Sequence, residues 1–152
     1  GLADVVLVSA PGFPLSWECQ KSVKALDNAS YAVRDGGVLI LLGECREGFG
    51  DATFETWLSE ASGPDEVLAR IQEEFVLGGR KAAAIATVQK RASIYLISSL
   101  SEELVRRCGM MPFDDVNAAL EAAFQRTGPS ANVLVLPEGG SVLPVSPAQP
   151  AG

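Results

Sequence analysis

The chain has 152 residues, enough for a single domain that buries roughly 70% of the surface its unfolded chain exposes. Its 19 acidic residues against 12 basic ones give a formal charge of -7, which excludes the basic surface that grips a phosphate backbone. No apolar run reaches the ~18 residues of a membrane span, and nothing at the N-terminus resembles a signal peptide.

The run ADVVLVSA (Ala3 to Ala10) is nearly continuous in apolar residues and rich in Val, the pattern of a strand buried on both faces. After the loop PGFPLS, helical spacing holds from about Trp17 to Arg34, and Gly36-Gly37 offers the left-handed cap that ends a helix. VLILLGE (Val38 to Glu44) reads as a second buried strand, with CREGFGD as the loop at its end. TFETWLSEA forms a short helix stopped at Ser62-Gly63, and Pro64 opens the next, PDEVLARIQEEF, at a position where its missing N–H costs little. RKAAAIATVQKR follows Gly78-Gly79 as an alanine-rich helix suited to close packing on a sheet. SIYLISSL (Ser93 to Leu100) is a third strand, SEELVRRC a short helix, MMPFDD a connection, VNAALEAAFQRTG a helix with a glycine stop, and ANVLVLP (Ala131 to Pro137) a fourth strand.

Apolar strands alternating with helices predict an α/β fold: a three-layer αβα sandwich around a mostly parallel sheet of about four strands. Residues 1–137 form one domain on this reading, and the Gly/Pro/Ser-rich stretch 138–152 an irregular tail. In such sheets ligands gather outside the carboxyl ends of the strands, here the loops SAPGFPLS, GECREGFGD and SSLSEE.

Phased at 100° per residue, the first helix places Cys19, Val23, Leu26, Ser30 and Val33 on one side, an apolar stripe for the sheet. Trp17, Lys21, Lys24, Asn28 and Tyr31 fall opposite, beside a helix N-terminus able to hold an anion. The ordinary reading is a solvated helix face; against it, lysines near an N-terminus oppose the helix dipole, so helix stability does not explain them. Gly48-x-Gly50 between a strand and a helix faintly resembles a dinucleotide fingerprint, but no third glycine follows and Glu44, Glu47 and Asp51 repel a pyrophosphate. Arg80 and Lys81 open another helix and by themselves are unspecific. The three cysteines, Cys19, Cys45 and Cys108, are widely spaced and form no CxxC pair, so neither a zinc site nor a disulfide framework is expected, which fits a reducing, cytoplasmic setting. The chain has no histidine, the commonest metal ligand and the readiest proton carrier near neutral pH, so chemistry must come from other groups or from elsewhere. It starts at Gly1 with a strand pattern almost at once, as an excised fragment would.

Taken together, SAPGFP, QKSVKALDNA, GECREGFG followed by FETWL, FVLGGRKAAAIA and the closing LPEGGSVLPV resemble the C-terminal domain of the lactate racemase family, the nickel pincer nucleotide enzymes. The resemblance implies a two-domain enzyme whose N-terminal domain carries the histidines, the nickel and the covalently attached cofactor. The C-terminal domain closes over a small 2-hydroxy acid in the cleft between them. The implied reaction is inversion at the α-carbon by hydride transfer through a keto acid, so this fragment alone is inactive, holds no catalytic residue and needs no metal or cofactor of its own. Counted from Pro14, Lys24 keeps the family's substrate-binding lysine, Lys21 stands at its glutamine and Gln20 at its tyrosine, while Pro11 replaces a glycine and Ser16 an aspartate. Lys81 lies where lactate racemases carry an active-site tryptophan. Lys24, Lys21 and Lys81 are thus the expected substrate-binding residues, and the added charge suits a larger or more anionic hydroxy acid than lactate. The expected partners are the chain's own N-terminal domain and that substrate, with no nucleic acid and no membrane. The competing expectation is a non-catalytic doubly wound module that binds a small anion or a protein partner; a nucleotide-binding enzyme has only the glycine loop behind it.

Overall fold

The Val-rich run at the start of the chain lies in the interior of the sheet, with Val5, Val6 and Val8 wholly buried. The computed structural model describes residues 2–10, 22–45 and 48–137. In chain order the elements are β1 (Ala3–Ser9), α1 (Val23–Ser30), β2 (Val33–Leu42), α2 (Ala52–Glu60), α3 (Pro64–Glu73), α4 (Leu77–Gln89), β3 (Ser93–Ile97), α5 (Glu102–Arg107), β4 (Met111–Phe113), α6 (Val116–Thr127) and β5 (Val133–Leu136). The sheet has five strands in the order β4-β3-β2-β1-β5, and every pairing is parallel.

Alternation along the strands divides the core in two. Val6, Val8, Leu39, Leu41, Ile94 and Leu96 point to one face, where α1, α2, α4 and α5 cover them with residues such as Leu26, Phe54 and Ile85. Val5, Val38, Ile40 and Tyr95 point to the other face and meet Ala119 and Ala123 of α6. Helices therefore lie on both faces, as expected for an αβα sandwich. The chain steps from β1 to β4 with its crossovers on one face, then returns through α6 on the other to set β5 beside β1.

Two features differ from the sequence reading. The fifth strand, β4, is three residues long and contains Pro112, which is tolerated because β4 is an edge strand. The first helix ends at Ser30 rather than near Arg34, and the glycine pair belongs to a bulge in β2. Ala3 pairs with Val33 but Val5 pairs with Val38, so the intervening residues loop out of register. Gly36 supplies φ of 81°, and a Cβ on Gly37 would lie 2.7 Å from the Asp4 carbonyl oxygen, so neither position accepts a side chain easily. Arg91 anchors the bulge: its guanidinium donates to the carbonyls of Ser30 and Val33, each at 2.7 Å, and to the Asp35 carboxylate at 2.9 Å. The tail 138–152 lies outside the described residues.

Candidate functional site

Parallel strands with helical crossovers bring one end of each helix to the same edge. α1, α2, α5 and α6 begin at the carboxyl edge of the sheet because each follows a strand, and α4 begins there because it runs down to the start of β3. Three of these five helices have a side-chain cap. The Asp51 carboxylate accepts from the Phe54 N–H at 3.0 Å, the Ser101 hydroxyl from the Leu104 N–H at 3.2 Å, and the Asp115 carboxylate from the Ala118 N–H at 2.8 Å. Among the described residues α1 and α4 show no side-chain cap hydrogen bond and no acidic residue in the first turn. They pack against each other, and they are the two that carry candidate lysines.

Lys24 is exposed in the first turn of α1, opposite the buried Leu26, Ala29 and Ser30, as the helical phasing requires. Lys81 is half-buried in the second turn of α4. Helix N-termini and positive side chains on adjacent helices suit a carboxylate or another small anion, since both favour negative charge at that edge. Lys21 lies outside the described residues, as do Trp17, Cys19 and Gln20, so the structure describes two of the three expected lysines, on helices that pack against each other.

The floor of this edge is tight. Ser22, at the start of α1, is 2% exposed and its hydroxyl has no hydrogen-bond partner among the described residues. It sits over Gly43 at the end of β2, where an added Cβ would meet the Ser22 Oγ at 2.7 Å, and it borders an apolar cavity of about 10 Å³ between Leu26, Leu41, Phe54 and Leu96. Sequence reasoning missed Ser22, which stands between Lys21 and Val23 with no apolar run to mark it as interior. The loops after β2 and β3 are joined by the Ser99 N–H donating to the Glu44 carbonyl at 2.6 Å. The GFG turn is structural: Phe49 is buried and meets Phe54 edge-on, ring centres 5.0 Å apart. Cys45 is buried, adopts φ of 56° and is disulfide-bonded, contrary to the expectation of unpaired thiols; Cys108 is a free, buried thiol pushed up to about 12 by burial and by the nearby Glu55 charge.

Among the described residues no group of three or more His, Cys, Asp or Glu side chains could hold a metal ion, and none of their helices is long and apolar enough to cross a membrane.

Comparison with known proteins follows the same architecture. The family model for the lactate racemase C-terminal domain matches residues 1–144. The lactate racemase of Thermoanaerobacterium thermosaccharolyticum is 30% identical over 146 residues, 93% of this chain and 34% of that protein. The lactate racemase of Lactiplantibacillus plantarum is 24% identical over 145 residues, 92% of this chain and 34% of that protein. The solved lactate racemase apoprotein from T. thermosaccharolyticum superposes with a TM-score of 0.89 at 28% identity, covering 96% of this chain and 36% of the other. The chain thus spans about a third of the length of the curated relatives it matches.

Proposed function

The chain belongs to the lactate racemase C-terminal domain family, and from that premise we propose that it is the substrate-side domain of a 2-hydroxy-acid racemase or epimerase. Supporting this is the coincidence of the two helix starts without side-chain caps, α1 and α4, with Lys24 and Lys81 at one edge of the sheet. Lys24 holds the substrate carboxylate by a charge-assisted hydrogen bond, and Lys81, with Lys21, provides for a second anionic group. Binding energy spent there orients the α-carbon.

The hydride chemistry would be supplied by a nickel pincer nucleotide held by the other domain of the full-length protein. On this reading the domain is inactive by itself and works with an N-terminal domain. Its setting is the cytoplasm, where a disulfide at Cys45 would be transient.

Lys24→Ala in the full-length protein tests the assignment. A lost hydrogen bond to a charged group is worth about 1.5–3 kcal/mol, so kcat/KM should fall about ten- to a hundredfold. Thermal stability should stay unchanged, because Lys24 lies off the core. Undiminished racemisation of a hydroxy acid that the parent protein turns over would refute it.

A further inference from the structure

Phe75 and Val76 lie between α3 and α4 and Leu77 opens α4, and all three are exposed, at 77%, 42% and 65%. Single exposed apolar residues are ordinary, but three in succession that include a phenylalanine mark an interaction surface. The segment is held firmly in place. The next two residues, Gly78 and Gly79, are buried, and an added Cβ on them would lie 2.5 Å from the Asp51 carboxylate and 2.5 Å from the Trp57 ring. One face of the Phe75 ring is covered by the Arg80 guanidinium, 5.2 Å from its centre. The patch is therefore apolar, flanked by a cation and presented by a fixed helix start.

Its location selects the occupant. α4 begins at the carboxyl edge, so the patch borders the same edge as Lys24 and Lys81. The curated relatives are about three times as long as the matched region, and the matching family is the C-terminal domain of such proteins. We propose that Phe75, Val76 and Leu77 are the seat on which the preceding part of the full-length protein docks, through an apolar surface carrying a carboxylate for Arg80. Docking at this position closes the lysine-bearing edge from one side. The proposal rests on the reading of the chain as one domain of a longer enzyme.

Hydroxyl-radical footprinting of the full-length protein tests it independently of turnover. Phe75 and Leu77 should be labelled severalfold less than the exposed Tyr31, and equally so when the protein is diluted to a monomer. The double variant F75S/L77S should leave circular dichroism and thermal stability near those of the parent while enlarging the radius of gyration and exposing its surroundings to label. Labelling of Phe75 at the level of Tyr31 overturns the proposal. Protection that disappears on dilution, with a dimer in sedimentation, also overturns it, by making a second copy the occupant. A protected patch in a protein that turns over no hydroxy acid would sink the racemase reading and leave the docking surface standing.

Discussion

Asp4 shows how much one short side chain can connect. One carboxylate oxygen accepts from the Arg34 guanidinium of β2, and the other accepts from the Asn132 N–H at 3.0 Å, just before β5, while the Asp4 N–H donates to the Asn132 side chain at 2.7 Å. First the Arg34 hydrogen bond and then the Asn132 backbone hydrogen bond hold the Asp4 carboxyl below its ordinary 3.8. A depressed folded-state pKa contributes stability above the unfolded value, and that contribution is lost as pH falls through the folded one. Melting temperature should therefore drop on acidification below about 4, and Asp4→Asn should reduce that dependence. An equal acid slope in both proteins would show that other carboxylates govern it. Exposure at single positions was legible where the local helix is regular: 100° phasing placed Lys24 outward and Leu26 inward. It was silent on Phe75 to Leu77, whose exposure depends on how α3 and α4 meet, and it gave no hint of the orphan Ser22 hydroxyl.

At the scale of elements, α2 and α4 approach more closely than side chains normally permit. The Trp57 ring is buried between Gly79 of α4 and the Arg70 guanidinium of α3, the latter 4.5 Å from the ring centre. Gly79→Ala gains about 1 kcal/mol of helix propensity. Its Cβ, however, falls 2.5–2.9 Å from three atoms of a ring that has no room to retreat, and overpacking costs about 1–3 kcal/mol. A net loss of up to about 2 kcal/mol is expected in urea unfolding, with displaced Trp57 fluorescence; a stabilised variant would mean that α4 shifts freely. The long strands were legible because each is an unbroken apolar run, and the caps at Asp51, Ser101 and Asp115 lie where polar residues precede helical spacing. β4 was not legible, since three residues with a central proline carry no periodicity. The end of α1 was misread because a glycine pair signals a helix stop and a bulge equally well, and only Arg91, distant in sequence, selects the bulge.

Over the whole molecule, alternation of strands and helices sufficed for layers and strand direction, since crossovers of this length admit one handedness. The neighbour of β1 on its far side did not follow from pattern, because β5 returns there only through the choice of face for α6. The carboxyl edge was legible, and so was the exposure of Lys24; that α1 and α4, of the helices starting at that edge, show no side-chain cap among the described residues needed coordinates. Added cations at this edge predict substrate choice. On a panel of 2-hydroxy acids, the full-length protein should turn over a dicarboxylate or sugar acid with higher kcat/KM than lactate, and exclusive turnover of lactate would refute this.

The return of β5 to β1 also has a temporal consequence. The Val5 N–H is satisfied at 3.1 Å by the Asn132 carbonyl, and Asp4 bonds to a residue 128 positions away, so the outer edge of β1 waits for a strand far along the chain. Until Val133–Leu136 leaves the ribosome, β1 is a Val-rich edge strand open to wrong partners, and the sheet of the nascent domain stays incomplete.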